Sequence, residues 1–250
     1  MEKWEKTLNQ FWYKYKAKSF VEGVLLCGSY ATGNQNQFSD IDVHILLNDT
    51  QNWRERGYVS QDGFLIEYFM NPIRKIRQEF HYDYLNGGNA TASMFTYGRI
   101  LFDRNGSVKR LKREAAKFLK KTPHKWTKDE VVMDLYGVWN LMDELKSLKR
   151  ERKFLNIVYY ELLKALSGLY FKIKGIPKIS LTKMEKLLAD PDFAERYHIQ
   201  KLPDKQFTEL FLPAIYKVDI LKIQKLYDFV MENVGGFDIS KFKIRSKLEN

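Results

Sequence analysis

Apolar and polar positions follow different patterns in the two parts of this chain. Before residue 107, short apolar runs dominate: Val24 to Cys27 stops at Gly28-Ser29, and Ile41 to Leu47 ends at Asn48-Asp49. Short apolar runs bounded by turn residues predict buried strands. Arg99 to Asp103 predicts one more short strand.

A hairpin is predicted within the same region. The pair Asp62-Gly63 is typical of a tight turn between antiparallel strands. It predicts that a strand around Tyr58 pairs with a strand over Phe64 to Met70. The stretch Tyr30 to Ser39 is polar and rich in Gly, Asn and Gln, and therefore predicts a loop.

Helical spacing of apolar residues precedes and follows these strands. Residues 2–20 predict an amphipathic first helix, and Asn71-Pro72 predicts the start of a helix that ends near Asn86. From Ser107 onward the periodic segments are all helical: 107–121, 128–150, 154–174, 181–189 and 214–234. Breaks are predicted at Pro123, Gly175, Pro177, Pro191, Pro203, Pro213 and Gly235-Gly236.

Strands mixed with helices and then a run of helices indicate the α+β class. We expect an N-terminal domain over residues 1–106, with a mixed β-sheet and flanking helices. A basic helical connector over 107–127 and an all-α helical bundle over 128–250 should follow it.

Composition narrows the class of protein. The 250 residues are 44% hydrophobic and 29% charged, the balance of a globular protein. A single cysteine, Cys27, excludes an intramolecular disulfide and a cysteine-based metal cluster. No apolar run approaches the roughly 18–20 residues that span a bilayer, and lysines interrupt any apolar core of a secretory signal before residue 20. We therefore expect a cytoplasmic protein with no membrane partner.

The net charge of +11 is confined to the second part of the chain. Residues 1–107 hold 12 basic and 12 acidic side chains, whereas residues 108–250 hold 30 basic and 19 acidic ones. The densest stretch, Lys109 to Lys128, contains nine Lys or Arg. Such a surface suits polyphosphate, RNA or a nucleotide, and a solvated helix face is the alternative interpretation.

The residues with the clearest chemistry are two carboxylates on one strand. Side chains alternate along a strand, so Asp40, Asp42 and His44 share one face. Two carboxylates this close repel each other unless a cation lies between them, and their oxygens suit Mg²⁺. We expect His44 to be hydrogen-bonded behind the carboxylates rather than to bind the metal, because Mg²⁺ prefers oxygen.

Two further features complete a predicted triphosphate and metal site. Gly28-Ser29 directly after a buried strand lets backbone amides approach a phosphate closely. Glu67 interrupts an otherwise apolar strand, so it needs a partner. That partner is either a metal shared with Asp40 and Asp42, as two-metal phosphoryl transfer requires, or an arginine in a structural ion pair.

The spacing of these residues resembles a known signature. Leu26, Gly28-Ser29, a gap of ten residues and Asp40-Ile41-Asp42-Val43 are similar to the motif of the DNA polymerase β-like nucleotidyltransferase superfamily. Glu67 corresponds to the third carboxylate of that family. The layout of an α+β region followed by helices resembles the antibiotic nucleotidyltransferases, most closely their kanamycin and lincosamide branches.

The resemblance implies roles for individual residues. Asp40, Asp42 and Glu67 would be catalytic and would bind Mg²⁺, with two ions expected, while Gly28 and Ser29 would contact the nucleotide phosphates. Ser39 would orient the loop or touch phosphate. Thr32 replaces a basic residue of some kanamycin-type members, which weakens any phosphate-binding role for it. The general base in those enzymes is a Glu of a second-domain helix, for which Asp143 is the candidate here and Glu144 the fallback.

The function implied is the transfer of a nucleoside monophosphate, AMP from ATP, to a hydroxyl of a small molecule with release of pyrophosphate. Residues 1–106 would then be the nucleotidyltransferase domain and residues 128–250 the acceptor-binding domain. Nucleotidyl transfer to RNA or protein and a catalytically silent nucleotide-binding regulator are the alternatives, and RNA is the less favoured partner. A homodimer that completes its site across the subunit boundary is compatible with this kind of enzyme.

Overall fold

The computed structural model describes residues 1–148, 154–190, 192–196, 198–199 and 204–245. The chain divides into two compact units. One contains Met1–Thr122 and Glu195–His198, and the other contains Pro123–Ala194 and Ile199–Asn250. The predicted assignment of residues 1–106, 107–127 and 128–250 to separate functional domains stays a prediction.

A five-stranded mixed sheet organises the first unit. Its strands are β1 (Val21–Cys27), β2 (Ile41–Leu47), β3 (Glu55–Gln61), β4 (Phe64–Pro72) and β5 (Arg99–Asp103). They lie in the order β3-β4-β2-β1-β5. Strands β2 and β4 are parallel, and the other neighbouring pairs are antiparallel.

Helices cover both faces of this sheet. They are α1 (Lys3–Tyr13), α2 (Gly28–Thr32), α3 (Ile73–Leu85), α4 (Ala90–Tyr97) and α5 (Ser107–Leu119). On one face Leu8 and Phe11 of α1 pack with Val43 and Ile45 of β2. Each such side chain, when fully buried, contributes about 2 kcal/mol.

The opposite face carries a second apolar layer. Here α3, α4 and α5 bury Phe80, Phe95 and Leu111 against Leu25 and Cys27 of β1. The sheet is therefore covered on both sides, so a polar group on either face is removed from water unless it lies near a strand end.

The regular elements described in the second unit are helical. The remaining α-helices among the described residues are α6 (Lys128–Leu148), α7 (Leu155–Lys174), α8 (Leu181–Ala189), α9 (Phe193–Arg196), α10 (Lys205–Tyr216) and α11 (Ile220–Asn233). Helix α7 has several fully buried side chains, among them Tyr159, whose hydroxyl donates to the Ala214 carbonyl oxygen at 2.7 Å. The predicted α+β class, with a mixed sheet followed by helices, is confirmed.

Three local predictions differ from the structure. The first residues of the predicted loop, from Tyr30, belong to helix α2, which ends at Thr32 and is capped by Gly33. Helix α4 is absent from the prediction, because Ala90–Tyr97 is nearly uniformly apolar or small and shows no amphipathic spacing.

The third difference concerns the segment predicted as one helix over 214–234. The chain forms α10 and α11 there, with Pro213 inside α10. The break lies instead at Asp219, whose carboxylate accepts from the backbone N–H groups of Leu221 and Lys222 and so caps α11. The predicted breaks at Pro191 and Pro203 and the last two residues of the predicted helix 128–150 lie outside the described residues.

No helix among the described residues is both long enough and apolar enough to cross a bilayer.

Substitution of Gly23 by alanine should destabilise the protein. A Cβ at Gly23 would lie 2.1 Å from Cγ2 of Val108 and 2.7 Å from the carbonyl oxygen of Phe102, so β1, β5 and α5 would have to separate. We expect a loss of about 1–3 kcal/mol, measured as a lower thermal unfolding midpoint. Gly137→Ala in α6 is the control, because nothing lies within 4 Å of its added Cβ. Equal midpoints for the two variants would contradict this packing argument.

Candidate active site

Parallel pairing of β2 and β4 brings together the acidic residues that lie far apart in sequence. Asp42 pairs directly with Glu67 in the register of these two strands. Paired residues of adjacent strands point to the same face, and Asp40 lies two residues before Asp42. Carboxylate oxygens of Asp40, Asp42 and Glu67 lie within 4.8 Å of one another. We call these three residues the carboxylate cluster.

The carboxylate cluster is electrostatically strained. Burial, followed by the negative charges of Asp40 and Glu67, raises the pKa of Asp42 to about 6. A hydrogen bond between Asp42 and Glu67 acts in the same direction, because a proton held between two carboxyls relieves their repulsion. The guanidinium of Arg56 lowers the pKa of Asp42, but it does not offset the other contributions.

Arg56 on β3 is the basic partner of the carboxylate cluster. Its Nε donates to Oε1 of Glu67 at 2.7 Å, and its Nη2 contacts the same oxygen. The guanidinium also lies over the ring of Phe69, 4.9 Å from the ring centroid. Glu67 therefore forms an ion pair with an arginine and also lies in the carboxylate cluster, so both of its predicted environments are present.

Tyr58 adds a hydroxyl to the same group. It pairs with Glu67 across the β3–β4 hairpin, and a hydrogen bond with Glu67 raises the pKa of Tyr58. Sequence reasoning did not single out Arg56 or Tyr58. The sequence does contain a signal for both residues. A two-residue turn at Asp62-Gly63 places Tyr58 opposite Glu67, and Arg56, two residues from Tyr58, lies on the same face of the sheet.

Gly28 lets the backbone after β1 lie against Asp42. Cys27, the last residue of β1, pairs with Asp42, so Gly28 follows directly beside it. Gly28 has φ +65°, and a Cβ at this position would lie 1.9 Å from Oδ2 of Asp42. Both observations require glycine here. Ser29 is the next residue of helix α2.

The loop that leads into Asp40 is held by its own hydrogen bonds. The backbone N–H of Asn36 donates to Oγ of Ser39 at 2.9 Å, and the N–H of Ser39 donates to the Asn36 carbonyl oxygen at 3.0 Å. This arrangement matches the loop-orienting role considered for Ser39, whereas its contact with a nucleotide stays a prediction. Thr32 donates within α2 to the Gly28 carbonyl oxygen at 3.3 Å.

His44 differs from its prediction. It lies on the cluster face of β2, but neither ring nitrogen has a hydrogen-bond partner among the described residues. The ring instead stacks on Phe69 at 4.8 Å and meets the edge of Phe95 at 4.9 Å. Because α4, which contributes Phe95, was not predicted, the apolar surroundings of His44 were not foreseen. The expectation that His44 is hydrogen-bonded is wrong.

The candidate general base lies in the other unit. Asp143 and its fallback Glu144 are exposed residues of α6. Their role stays a prediction.

The carboxylate cluster fits a hard divalent cation. All three donors are carboxylates, the ligand type that Mg²⁺ prefers. Burial is the main reason that the pKa of Asp42 is raised, and the charges of Asp40 and Glu67 add to it, so the three acids lack enough positive charge beside them. A divalent cation would supply that charge, so the residues present suit a magnesium site.

The comparisons with known proteins agree with this geometry. Residues 7–105 match a family model described as polymerase beta, nucleotidyltransferase, and this range includes the carboxylate cluster. Over these residues the chain is similar to the nucleotidyltransferases of the DNA polymerase β type.

No curated protein matches the sequence. The chain is similar to the crystal structure of a nucleotidyltransferase-like protein from Exiguobacterium sibiricum, with 14% identity and a TM-score of 0.44. That similarity covers 93% of this chain and 77% of the other.

Asp42 and His44 should change stability with pH in opposite directions. Folded His44 has its pKa lowered to about 4 by burial, so the unfolded chain takes up this proton first and acidification below pH 6.5 favours unfolding. Folded Asp42 has its pKa raised to about 6, so acidification from pH 6 to pH 4 favours the folded state.

Two variants separate the contributions of His44 and Asp42 to the free energy of unfolding, which is measured by urea unfolding from pH 4 to pH 7. His44→Phe should gain stability over the wild type as pH falls, by up to about 3 kcal/mol. Asp42→Asn should be more stable than the wild type at pH 7, by about 1 kcal/mol after allowance for solvent screening, and this gain should vanish near pH 4. Parallel pH profiles for all three proteins would contradict the analysis.

Proposed function

We propose that this chain is a Mg²⁺-dependent nucleotidyltransferase. It transfers a nucleoside monophosphate, AMP from ATP, to a hydroxyl of a small antibiotic-type molecule and releases pyrophosphate. The observation that carries the proposal is the carboxylate cluster, whose oxygens lie within 4.8 Å of one another in a nucleotidyltransferase domain.

Asp40, Asp42 and Glu67 hold the metal in this proposal. When bound there, magnesium would supply positive charge that offsets the charge of the triphosphate, and Lewis acidity that lowers the pKa of the attacking hydroxyl. Asp42 must be deprotonated to act as a ligand. Since its pKa is about 6 in the free protein, it is available at neutral pH.

Gly28 and Ser29 form the phosphate-binding side of the site. Because Gly28 packs directly against Asp42, a phosphate bound at the backbone amides of Gly28 and Ser29 would lie beside the carboxylate cluster. The acceptor oxygen then attacks the α-phosphorus in line as the bond to pyrophosphate breaks. Asp143 takes up the proton of the acceptor hydroxyl, with Glu144 as the fallback.

Transfer to RNA is the second candidate function. The observation that favours it is the basic surface of α5, where Glu114 is held in a bidentate pair with Arg77 at 2.7 and 3.0 Å. The exposed basic residues of this helix are Lys109, Arg110, Arg113 and Lys117. The small-molecule acceptor stays preferred because of the resemblance to the kanamycin and lincosamide branches.

Substitution of Asp42 by asparagine should abolish transfer and leave the fold intact. The change removes one anionic ligand, and we expect turnover to fall by about 10²-fold or more. The measurement is pyrophosphate release, with each of ATP, GTP, CTP and UTP tested against aminoglycosides, lincosamides and tRNA to find the active pair. Loss of activity as salt rises from low to physiological concentration would identify RNA as the acceptor.

The control is Asp49→Asn, an acidic residue outside the carboxylate cluster, which should keep wild-type turnover. Wild-type turnover by Asp42→Asn with Mg²⁺ would show that the cluster does not hold the catalytic metal. Circular dichroism of each variant verifies the fold.

Two variants distinguish between Asp143 and Glu144 as the general base. Asp143→Asn should lower kcat by about 10²-fold or more and leave nucleotide binding unchanged, since a general base acts in the chemical step. Glu144→Gln should retain activity. The reverse result would assign the base to Glu144, and full activity in both variants would remove the general base from α6.

A further inference from the structure

Arg56 and Glu67 differ sharply in their exposure to solvent. The Arg56 side chain is 63% exposed, whereas that of Glu67 is 8% exposed. Glu67 is thus fixed within the sheet, while Arg56 lies on the edge strand β3 and can leave its partner by turning into water. Its guanidinium would be hydrated after such a movement, so leaving carries little desolvation cost.

The contact of Arg56 falls on the carboxylate group that a metal would also bind. Both Nε and Nη2 of Arg56 engage the same oxygen of Glu67, Oε1. Two donors on one oxygen occupy its lone pairs. A cation that binds all three carboxylates therefore meets a competitor at Glu67, and it also meets the repulsion of a like charge nearby.

We propose that Arg56 is the resident counter-ion of the carboxylate cluster and that it competes with the divalent cation for Glu67. Arg56 thereby sets the metal affinity of the site. The inference rests on the proposed metal site. It means that a residue outside the carboxylate cluster controls the affinity of the cluster for the metal ion.

A merely structural role for Arg56 predicts the opposite result. If the arginine served to hold Glu67 in its binding orientation, its removal would weaken metal binding. As a competitor, its removal strengthens metal binding. The sign of the change in affinity therefore distinguishes the two roles, without any measurement of enzymatic turnover.

The experiment compares Mn²⁺ and Mg²⁺ binding to the full chain by calorimetry, with free Mn²⁺ followed by electron paramagnetic resonance. Arg56→Gln should bind both ions about fivefold more tightly than the wild type, since one partly exposed like charge is removed. Arg54→Gln is the matched control. It removes the same charge from an exposed residue two positions away, and we expect less than about a twofold change.

Arg56→Lys provides a second variant in case Arg56→Gln does not fold. Lysine keeps the charge but presents a single Nζ atom in place of the planar fork, so its affinity for Mn²⁺ should lie between those of the wild type and Arg56→Gln. Unchanged or weaker Mn²⁺ binding in Arg56→Gln would overturn the inference. If Arg56→Gln is unfolded, the absence of any gain in Arg56→Lys overturns it equally.

Failure of the metal site itself has a different signature. In that case the wild type and the arginine variants would bind Mn²⁺ no better than Asp42→Asn does. This result would overturn the proposed function together with the inference. Mn²⁺ binding that depends on Asp42 but is equal in the wild type and Arg56→Gln overturns the inference alone.

Discussion

The repulsion among three carboxylates at one end of a covered sheet is the constraint on which the site depends. Asp40, Asp42 and Glu67 have oxygens within 4.8 Å of one another, and burial adds to the cost of keeping them charged. The chain offsets part of this charge with Arg56. Burial and the remaining repulsion still raise the pKa of Asp42 to about 6. The remaining deficit of positive charge is what makes the site suited to a divalent cation.

The packing around the site maintains this arrangement. Leu8 and Phe11 of α1 cover one face of the sheet, and α3, α4 and α5 cover the other. Two buried layers hold β2 and β4 in register, so the acids cannot relax by moving apart. His44 shows the consequence most clearly. It lies two residues beyond Asp42 on the same face, yet aromatic rings surround it and lower its pKa to about 4.

Much of the first unit was predictable because its signals are local. The apolar run of β2 matches the strand from Ile41 to Leu47, and the turn at Asp62-Gly63 defines the β3–β4 hairpin. Counting outward from that turn would also have placed Tyr58 opposite Glu67. Helix α4 was not predictable from periodicity, because a helix covered by protein over most of its surface has no polar stripe. Pro213 predicts a break, but it lies inside α10, whose neighbouring residues Phe211 and Ala214 are buried in the core.

The sequence by itself determined which chemical groups are present and how they are spaced along the chain. Gly28-Ser29, Asp40 and Asp42 lie on one strand-loop-strand segment, and a strand's period of two places both acids on one face. Only the tertiary structure decided that Glu67 joins them and that Arg56 comes with it. Parallel strands require a crossover connection, so no turn sets the register of β2 and β4. That register is selected by the burial of apolar residues on both faces of the sheet.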